Sequence, residues 1–494
     1  MVAALLLSQV LLTFAVEGEG PVRFGFPLPA QQLQRGLRVS VTGARLQWRR
    51  LQGRPDPQSD RVWVELSVAG VRGRARLLAG GVGPSEEGCG AVVTVRTELE
   101  SDRGWDLRRV RWRWCSGEVD ELERRTFNEL SEYGGEVFDP GESLTLASPA
   151  LTGRFLRVRI HSDQWRRAGV LPGTGRLSRR FRERLAELAI GLRELPGARG
   201  CGDYGRSGGV VTNLEFDTTL GFARLGLASS SPALLARALG SARHLADRDL
   251  HPRSGLPYRH GPGHRVMSPR PGHAWLAGLL LVGCMSADDL LIAAARTIAH
   301  GLARHPPPDE AAVERARDYG WPLHELEVWL RFSDDPVCRR AADAYSANLA
   351  GRWDARAGVM RFGEGERRGF YEERAWITGG ILVPALRLHL ARRPDAELAG
   401  VVRVTERRLL QLMAGAAAGL PIRYRVSDGE VRGQLRLRGA VEGYMSLAGV
   451  APAALMRCLS RSAVRRALLA IPDQDDPDLA TSLSIAARSD WVYR

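Results

Sequence analysis

Residues 212–227, TNLEFDTTLGFARLGL, and 273–285, HAWLAGLLLVGCM, are apolar on most faces at helical spacing. A helix on the surface of a globular protein keeps a polar face for water, so helices of this kind need protein on both sides. The inner ring of a double-layered helical toroid supplies that environment. Beyond Gly202 the helical period persists, and helices are expected over 213–227, 232–249, 273–284, 287–303, 310–332, 336–350, 373–391, 396–414, 441–457 and 460–470, joined by Gly/Pro loops. Hairpins repeat, but without the fixed-period consensus of a tetratricopeptide solenoid. The expectation is therefore an α/α toroid of the six-hairpin kind over 171–494, with a small β-hairpin at about 421–437 that turns at Asp428-Gly429.

Upstream the period changes to that of strands. Runs such as VRFGF, LRVSVTG, RVWVELSVAG, AVVTVRTEL, VRWRWC and RFLRVRI, several of them alternating, follow one another with no helix between them. That order argues for an antiparallel β-sandwich over 19–170 rather than a parallel α/β sheet, and the fold class is α+β multidomain. The linker AGVLPGTGRLS leads to RRFRERLAELAIGLREL, an amphipathic helix that Ser178 is placed to cap. The apolar run VAALLLSQVLLTFAVEG is too short to span a membrane and reads first as a signal peptide over 1–18, cleaved near Ala15, although no basic residue precedes it. The reading implies a secreted or periplasmic protein. A first β-strand is the other reading of the same run.

The formal net charge is +14, and each of the 70 basic residues counted with lysine is arginine. Without lysine, a Schiff-base nucleophile, a pyridoxal phosphate anchor and a phosphate-binding P-loop are all excluded. The arginines are spread rather than clustered, and no finger spacing or aromatic-basic RNA motif is present, which argues against nucleic acid; an anionic glycan remains as a partner. The six cysteines form no C-x-x-C pair; Cys89 and Cys115 flank two expected strands and are a candidate bridge in an oxidising compartment. A monomer is expected.

The densest chemistry lies between Asp203 and Trp275, which holds five of the ten histidines. Asn213 and Asp217, four apart, share a face of the expected helix, while Thr212 and Glu215 have capping-box spacing. His244 and Asp247 suit a helix end; His251 enters the following loop. The loop PYRHGPGHRVMSPRPGHAW is the strongest candidate, because three histidines within fourteen residues of rigid Gly/Pro backbone are not explained by packing. The Gly-Pro-Gly between His260 and His264 argues against a helical zinc pair, so no metal site is assigned. Farther on, DYGWPLHELE and GFYEERAW bring Tyr319, Trp321, His324, Tyr371, Glu372, Glu373 and Arg374 to loop–helix edges. Trp105, Trp112 and Trp114 belong to a strand, as a core face or a sugar platform.

The segments FGFPLP, RGLRVSVTG, RLQWRRL and VWVELSV, followed by NLEFDTTLGF, HLADRDLH, HGPGH…GHAW and YGWPL, resemble successive landmarks of exo-rhamnogalacturonan lyase-like proteins over roughly residues 20 to 390. The resemblance implies β-domains joined to an α/α toroid and β-eliminative cleavage of rhamnogalacturonan, an acidic pectin backbone.

β-Elimination from a uronate needs a cation or amide to neutralise the carboxylate, a base for the C5 proton and an acid for the departing oxygen. The expected catalytic residues are His260, His264 and Tyr258. The expected substrate-binding residues are Arg206, Asn213, Asp217, His251, His273, Trp275, Trp321, Tyr371, Glu373 and Arg374. This inventory requires no cofactor, with Ca²⁺ as an alternative means of neutralising the carboxylate. A toroidal glycoside hydrolase using paired carboxylates, with Asp217 and Glu373 as the pair, and a non-catalytic glycan-binding protein are the alternatives.

Overall fold

The structure is a computed structural model that describes residues 9–18, 22–34, 36–42, 44–52, 54–79, 94–100, 105–113, 119–127, 154–171, 179–192, 206–207, 210–211, 216–251, 253–258, 269–308, 316–355, 358–362, 371–374, 377–415, 423–427 and 430–432, with the backbone alone for 45, 47, 154, 179–182, 247–248, 412–415 and those within 94–127, 206–211, 371–374 and 423–432.

Alternation builds the N-terminal sheets. β1 (Gln9–Val16) lies between β6 (Gly73–Ala79) and β10 (Val158–Ile160), and β3 (Leu37–Val39) adds to β6. A second sheet has the order β2–β5–β4, from Val22–Pro29, Arg61–Ala69 and Arg45–Arg50. All of these pairings are antiparallel. Phe14 of β1 meets Phe24 of β2 at 5.5 Å between ring centroids, so the two sheets share a core. A third antiparallel sheet joins β7 (Thr94–Glu100), β8 (Trp105–Arg113) and β9 (Val119–Phe127).

β1 corrects the reading of the apolar N-terminal run. Leu12, Phe14 and Val16 are buried within the sheet, and cleavage near Ala15 would remove a strand bonded on both edges. Residues 9–16 thus act as sheet. Cys89, Cys115, Trp114 and the expected helices 441–457 and 460–470 lie outside the described residues.

After α1 (Arg179–Gly191), a two-stranded β11–β12 (Arg206–Ser207, Val210–Val211) precedes the helices. These come in pairs joined by two or three residues: α2 (Thr218–Ser229) with α3 (Pro232–His244), α4 (Ala277–Ser286) with α5 (Asp289–Ala303), α6 (Arg317–Phe332) with α7 (Pro336–Gly351), and α8 (Val383–Arg392) with α9 (Ala396–Gly415). Such short connections make each pair antiparallel. Each second helix starts on a side-chain cap. Ser231, Asp288, Asp335 and Asp395 accept from backbone amides of their first turns. Between pairs the chain is longer. Between α7 and α8 it carries β13 (Trp353–Asp354), paired with β14 (Val359–Met360), and β15 (Tyr371–Arg374), which pairs with β16 (Arg423–Ser427) of the β16–β17 (Glu430–Arg432) hairpin that follows α9. The hairpin expected near 421–437 therefore gains a third strand. No helix among the described residues is long and apolar enough to cross a membrane.

Three helix boundaries differ from expectation. Phe216 and Asp217 have left-handed φ of 63° and 61°, so α2 begins at Thr218 and Asp217 is its N-cap rather than a residue on a helical face. The GFYEERAW segment is strand where it is described, because Tyr371–Arg374 pair with Arg423–Val426. α3 ends in a π-turn over Leu245–Asp249 that brings His244 Nε2 to 3.4 Å from Asp249 Oδ1, both side chains buried.

The β-region seats on the helix C-termini. On the face of β2–β5 turned from the Phe24 core, Gly25 pairs with Glu65, and a Cβ at Gly25 would lie 1.7 Å from Cys284 O. Beside that contact, Arg23 holds Glu65 at 2.7 and 2.8 Å and donates to Ala287 O at 2.9 Å. Arg49 bonds both Glu65 and Asp289 at 2.6 Å. Burial pushes the Glu65 carboxyl up, but the two guanidinium groups outweigh it and hold the group below the ordinary glutamate range. Replacing Glu65 with Ala should destabilise the fold by about 3 kcal/mol, because it takes the carboxylate partner from the buried Arg23 and leaves Arg49 with Asp289 alone; thermal and chemical denaturation measure it.

Asp335 supplies a pH test. Burial raises its carboxyl, but the amides of Cys338 and Val337 and the His300 ring bring it down to about 2. A lowered folded value means that its stabilisation is complete above the unfolded aspartate range and is lost as pH falls through about 4 towards 2. Asp335→Asn keeps a cap and removes the charge. Chemical denaturation across that window should show a flatter stability–pH curve than wild type.

Candidate functional site

Helix α4 sets the geometry of the candidate site. Its first residues, LAGLLL, include none of the usual capping side chains, and its N-cap, Leu276, has no side-chain cap bond. Two neighbouring elements cap it instead. Asp217 Oδ2 accepts from Gly278 N at 2.8 Å while its Oδ1 caps α2 at Leu220 N, 3.0 Å. Glu325, in α6, accepts from Leu276 N and Ala277 N, both at 2.9 Å on Oε2. The two carboxylates are buried at the positive end of the helix dipole. Gly278 has to be glycine, since a Cβ there would lie 2.3 Å from Asp217 Oδ1.

Around this junction the structure gathers several of the expected site residues. His273 lies 6.1 Å from Trp275, Trp275 lies 6.3 Å from Trp321, and Trp321 packs on Phe216 at 6.1 Å and on His324 at 5.8 Å. His273, Trp275 and Trp321 are 1–3% exposed, which corrects their assignment as sugar contacts: they are packing residues under the site. Asp217 is corrected for the same reason, because both its oxygens serve backbone amides. Tyr258, 3% exposed, is held by Asp249 O at its amide and lies edge-on to His251 at 5.4 Å. His251 Nδ1 accepts from Ser254 N at 3.1 Å, which closes the turn 251–256. These two residues form a separate pair.

The remaining candidates are less fully described. His260, His264 and Asn213 lie outside the described residues, and only the backbone is given for Arg206, Tyr371, Glu373 and Arg374. The segment carrying His260 and His264 is nevertheless fixed at both ends. It leaves Tyr258 and returns at Arg270, which bonds Asp318 Oδ2 at 2.8 and 2.6 Å. Gly272 then passes so close to Asp318 that a Cβ would lie 2.0 Å from Oδ1.

A cavity of about 500 Å³ lies between the first helix of each pair and the β2–β5 region. Leu220 and Arg224 of α2, Leu280 and Cys284 of α4, His324 and Arg331 of α6, and Pro384 and Arg387 of α8 line one side. Asp56, Arg61 and Trp63 line the other. Among the described residues four arginines therefore face one lining carboxylate, Asp56, and that carboxylate is bonded to Arg331 at 2.5 Å. Arg387 pairs with Glu406. Arg61 is different: its side chain donates only to Pro27 O at 3.3 Å among the described residues, and burial pushes its pKa below the ordinary arginine value.

Arg61 and Trp63 were absent from the expected site, and His324 was expected only as a loop–helix edge residue. A signal existed for two of them, since alternation along RVWVELSV puts Arg61 and Trp63 on the face opposite Val62 and Val64. His324 Nδ1 lies 2.9 Å from Glu325 Oε1. His300, Asp335 and Cys338 place three metal-ligand types within 4.8 Å. The Asp335 carboxylate already accepts from Val337 N, Cys338 N, His300 Nε2 and Trp329 Nε1, so it reads as a filled helix cap.

No family model and no curated protein matches the sequence. Solved structures similar to the chain include a polysaccharide lyase (TM-score 0.44, 11% identity, 62% of this chain and 96% of that one) and a family 76 glycoside hydrolase from a bovine Bacteroides thetaiotaomicron strain (0.43, 9%, 97% and 93%). A cellobiose 2-epimerase from Bacillus thermoamylovorans B4167 is a third (0.39, 9%, 52% and 74%). All lie below 25% identity and below a TM-score of 0.5, so function rests on this chain's own residues.

Asp217→Ala should lower stability by about 2 kcal/mol by orphaning amides of two helices, and Asp217→Asn should lose less; melting curves of the two variants make the comparison.

Proposed function

We propose that the chain is a carbohydrate-active enzyme, a lyase that cleaves an acidic, pectic or rhamnogalacturonan-like polysaccharide by β-elimination, with helical pairs arranged as an α/α toroid. The observation that carries this reading is Arg61 in the arginine-lined cavity, a partly buried guanidinium without a carboxylate partner among the described residues. A planar fork of donors suits a uronate carboxylate, and neutralising that carboxylate makes C5 acidic. Trp63, two residues along the same strand face, offers an aromatic surface to the sugar ring. In this reading the arginines do what a cation would do, and Ca²⁺ is not required.

The hydrolase alternative needs two carboxylates facing one pocket. Among the described residues Asp56 alone supplies a lining carboxylate, and Asp217 is spent on backbone amides. Histidine therefore fits the acid–base work better than paired carboxylates do. His260 and His264 remain proposed members of the site from the segment between Tyr258 and Arg270, with Arg206 and Tyr371 as further substrate contacts. Action outside the cytoplasm, on polymer, accompanies the proposal.

Incubation with rhamnogalacturonan or polygalacturonate should raise ultraviolet absorbance as the conjugated C4=C5 bond forms. Arg61→Ala should lower kcat/KM by about 10- to 100-fold, the equivalent of about 1.5–3 kcal/mol of charge-assisted hydrogen bonding. New reducing ends without absorbance would replace elimination by hydrolysis, and no cleavage of any uronate polymer would end the lyase reading.

A further inference from the structure

We propose that His324 is the residue that takes the substrate proton in this cavity, and that Glu325 is its positioning residue. The inference rests on reading the cavity as a uronate site and adds a base to it from the described residues.

The geometry comes from α6. His324 lines the cavity, while Glu325, next in the chain, is fully buried behind it. Glu325 is immobilised first by α4: Leu276 N and Ala277 N both donate to Oε2. Its other oxygen, Oε1, lies 2.9 Å from His324 Nδ1. A carboxylate that already accepts two amides takes a third hydrogen from Nδ1–H, which selects the tautomer in which Nε2 is the proton acceptor. The Trp321 ring, 5.8 Å away and nearly perpendicular, packs against the imidazole. An imidazole oriented by a buried carboxylate is an arrangement suited to general-base work, here facing a cavity with Arg61 and Arg224 in its lining.

In the step, Nε2 of His324 takes the C5 proton. The C5–H electron pair becomes the C4=C5 double bond while the C4–O4 bond breaks with its pair on O4. O4 takes a proton from water, and the hydroxide so formed discharges the imidazolium.

The test uses the full chain and has two arms. In the first, ¹⁵N-histidine NMR of wild type, with the His324 signal assigned by its loss in His324→Gln, should show the Nδ1–H tautomer, converted or broadened in Glu325→Gln. An Nε2–H tautomer in wild type overturns the proposal. In the second, His324→Gln and His324→Asn are assayed on the uronate polymer that wild type cleaves; kcat should fall by about 100-fold or more with KM and melting temperature nearly unchanged. Turnover within twofold of wild type in a folded variant overturns the proposal. If wild type cleaves no uronate polymer, the lyase reading fails by itself, and the NMR arm then decides the His324–Glu325 assignment.

Discussion

Helix α4 is buried over nearly its whole length, so water cannot satisfy the backbone groups at its ends, and the rest of the protein must do so. At the N-terminus the donors are Leu276, Ala277 and Gly278, and the acceptors come from two other helical pairs, Glu325 and Asp217. At the C-terminal side, Arg23 reaches from the sheet to Ala287 O. One hydrophobic helix thus ties together three segments that are far apart in sequence. Gly25 and Gly278 mark the two closest approaches, at opposite ends, where a single methyl group would collide.

The same constraint organises the site. Short turns at the end of each first helix leave little chain there, and the β2–β5 region packs against that end. Gln52 donates to Arg331 O and Arg54 to Leu330 O, so polar and cationic side chains from the sheet meet the C-terminal carbonyls of α6 as well. The long connections, which vary in length and carry the histidine-rich segment, lead to the starts of the first helices. A cavity bounded by first helices and closed by a sheet face follows from that alternation of short and long links. Scaffold and site are separable in sequence but share residues in space: Glu325 caps one helix and orients the His324 ring of its own.

Much of the scaffold was legible because local chemistry encodes it. The capped turns SSSP, SADD and SDDP announce the second helices, and strict alternation announces β2 and β5. Asp217 was misplaced because FDTTLGF has helical spacing, while the left-handed pair Phe216–Asp217 is imposed by the need to aim one carboxylate at two helix ends. Trp275 and Trp321 were read as sugar contacts, since residue type alone does not distinguish an aromatic ring facing ligand from one beneath it. Arg61 and Trp63 went unread for the converse reason: their strand belongs to one region and the cavity they line is completed by another.

Arginine and histidine divide the work in a way that the composition makes visible. A chain without lysine has only guanidinium groups to offer the proposed anionic ligand, and these stay charged throughout the physiological range and present fixed forks. The attraction of such a cavity for a carboxylate is therefore nearly independent of pH. Proton transfer needs a group that can both take and give a proton, and among the described lining residues that work is proposed for the imidazole of His324. In the proposal, binding and proton abstraction thus go to different kinds of side chain. The buried carboxylate of Glu325 links them to the scaffold, since the atoms that select the imidazole tautomer are held by the first amides of α4.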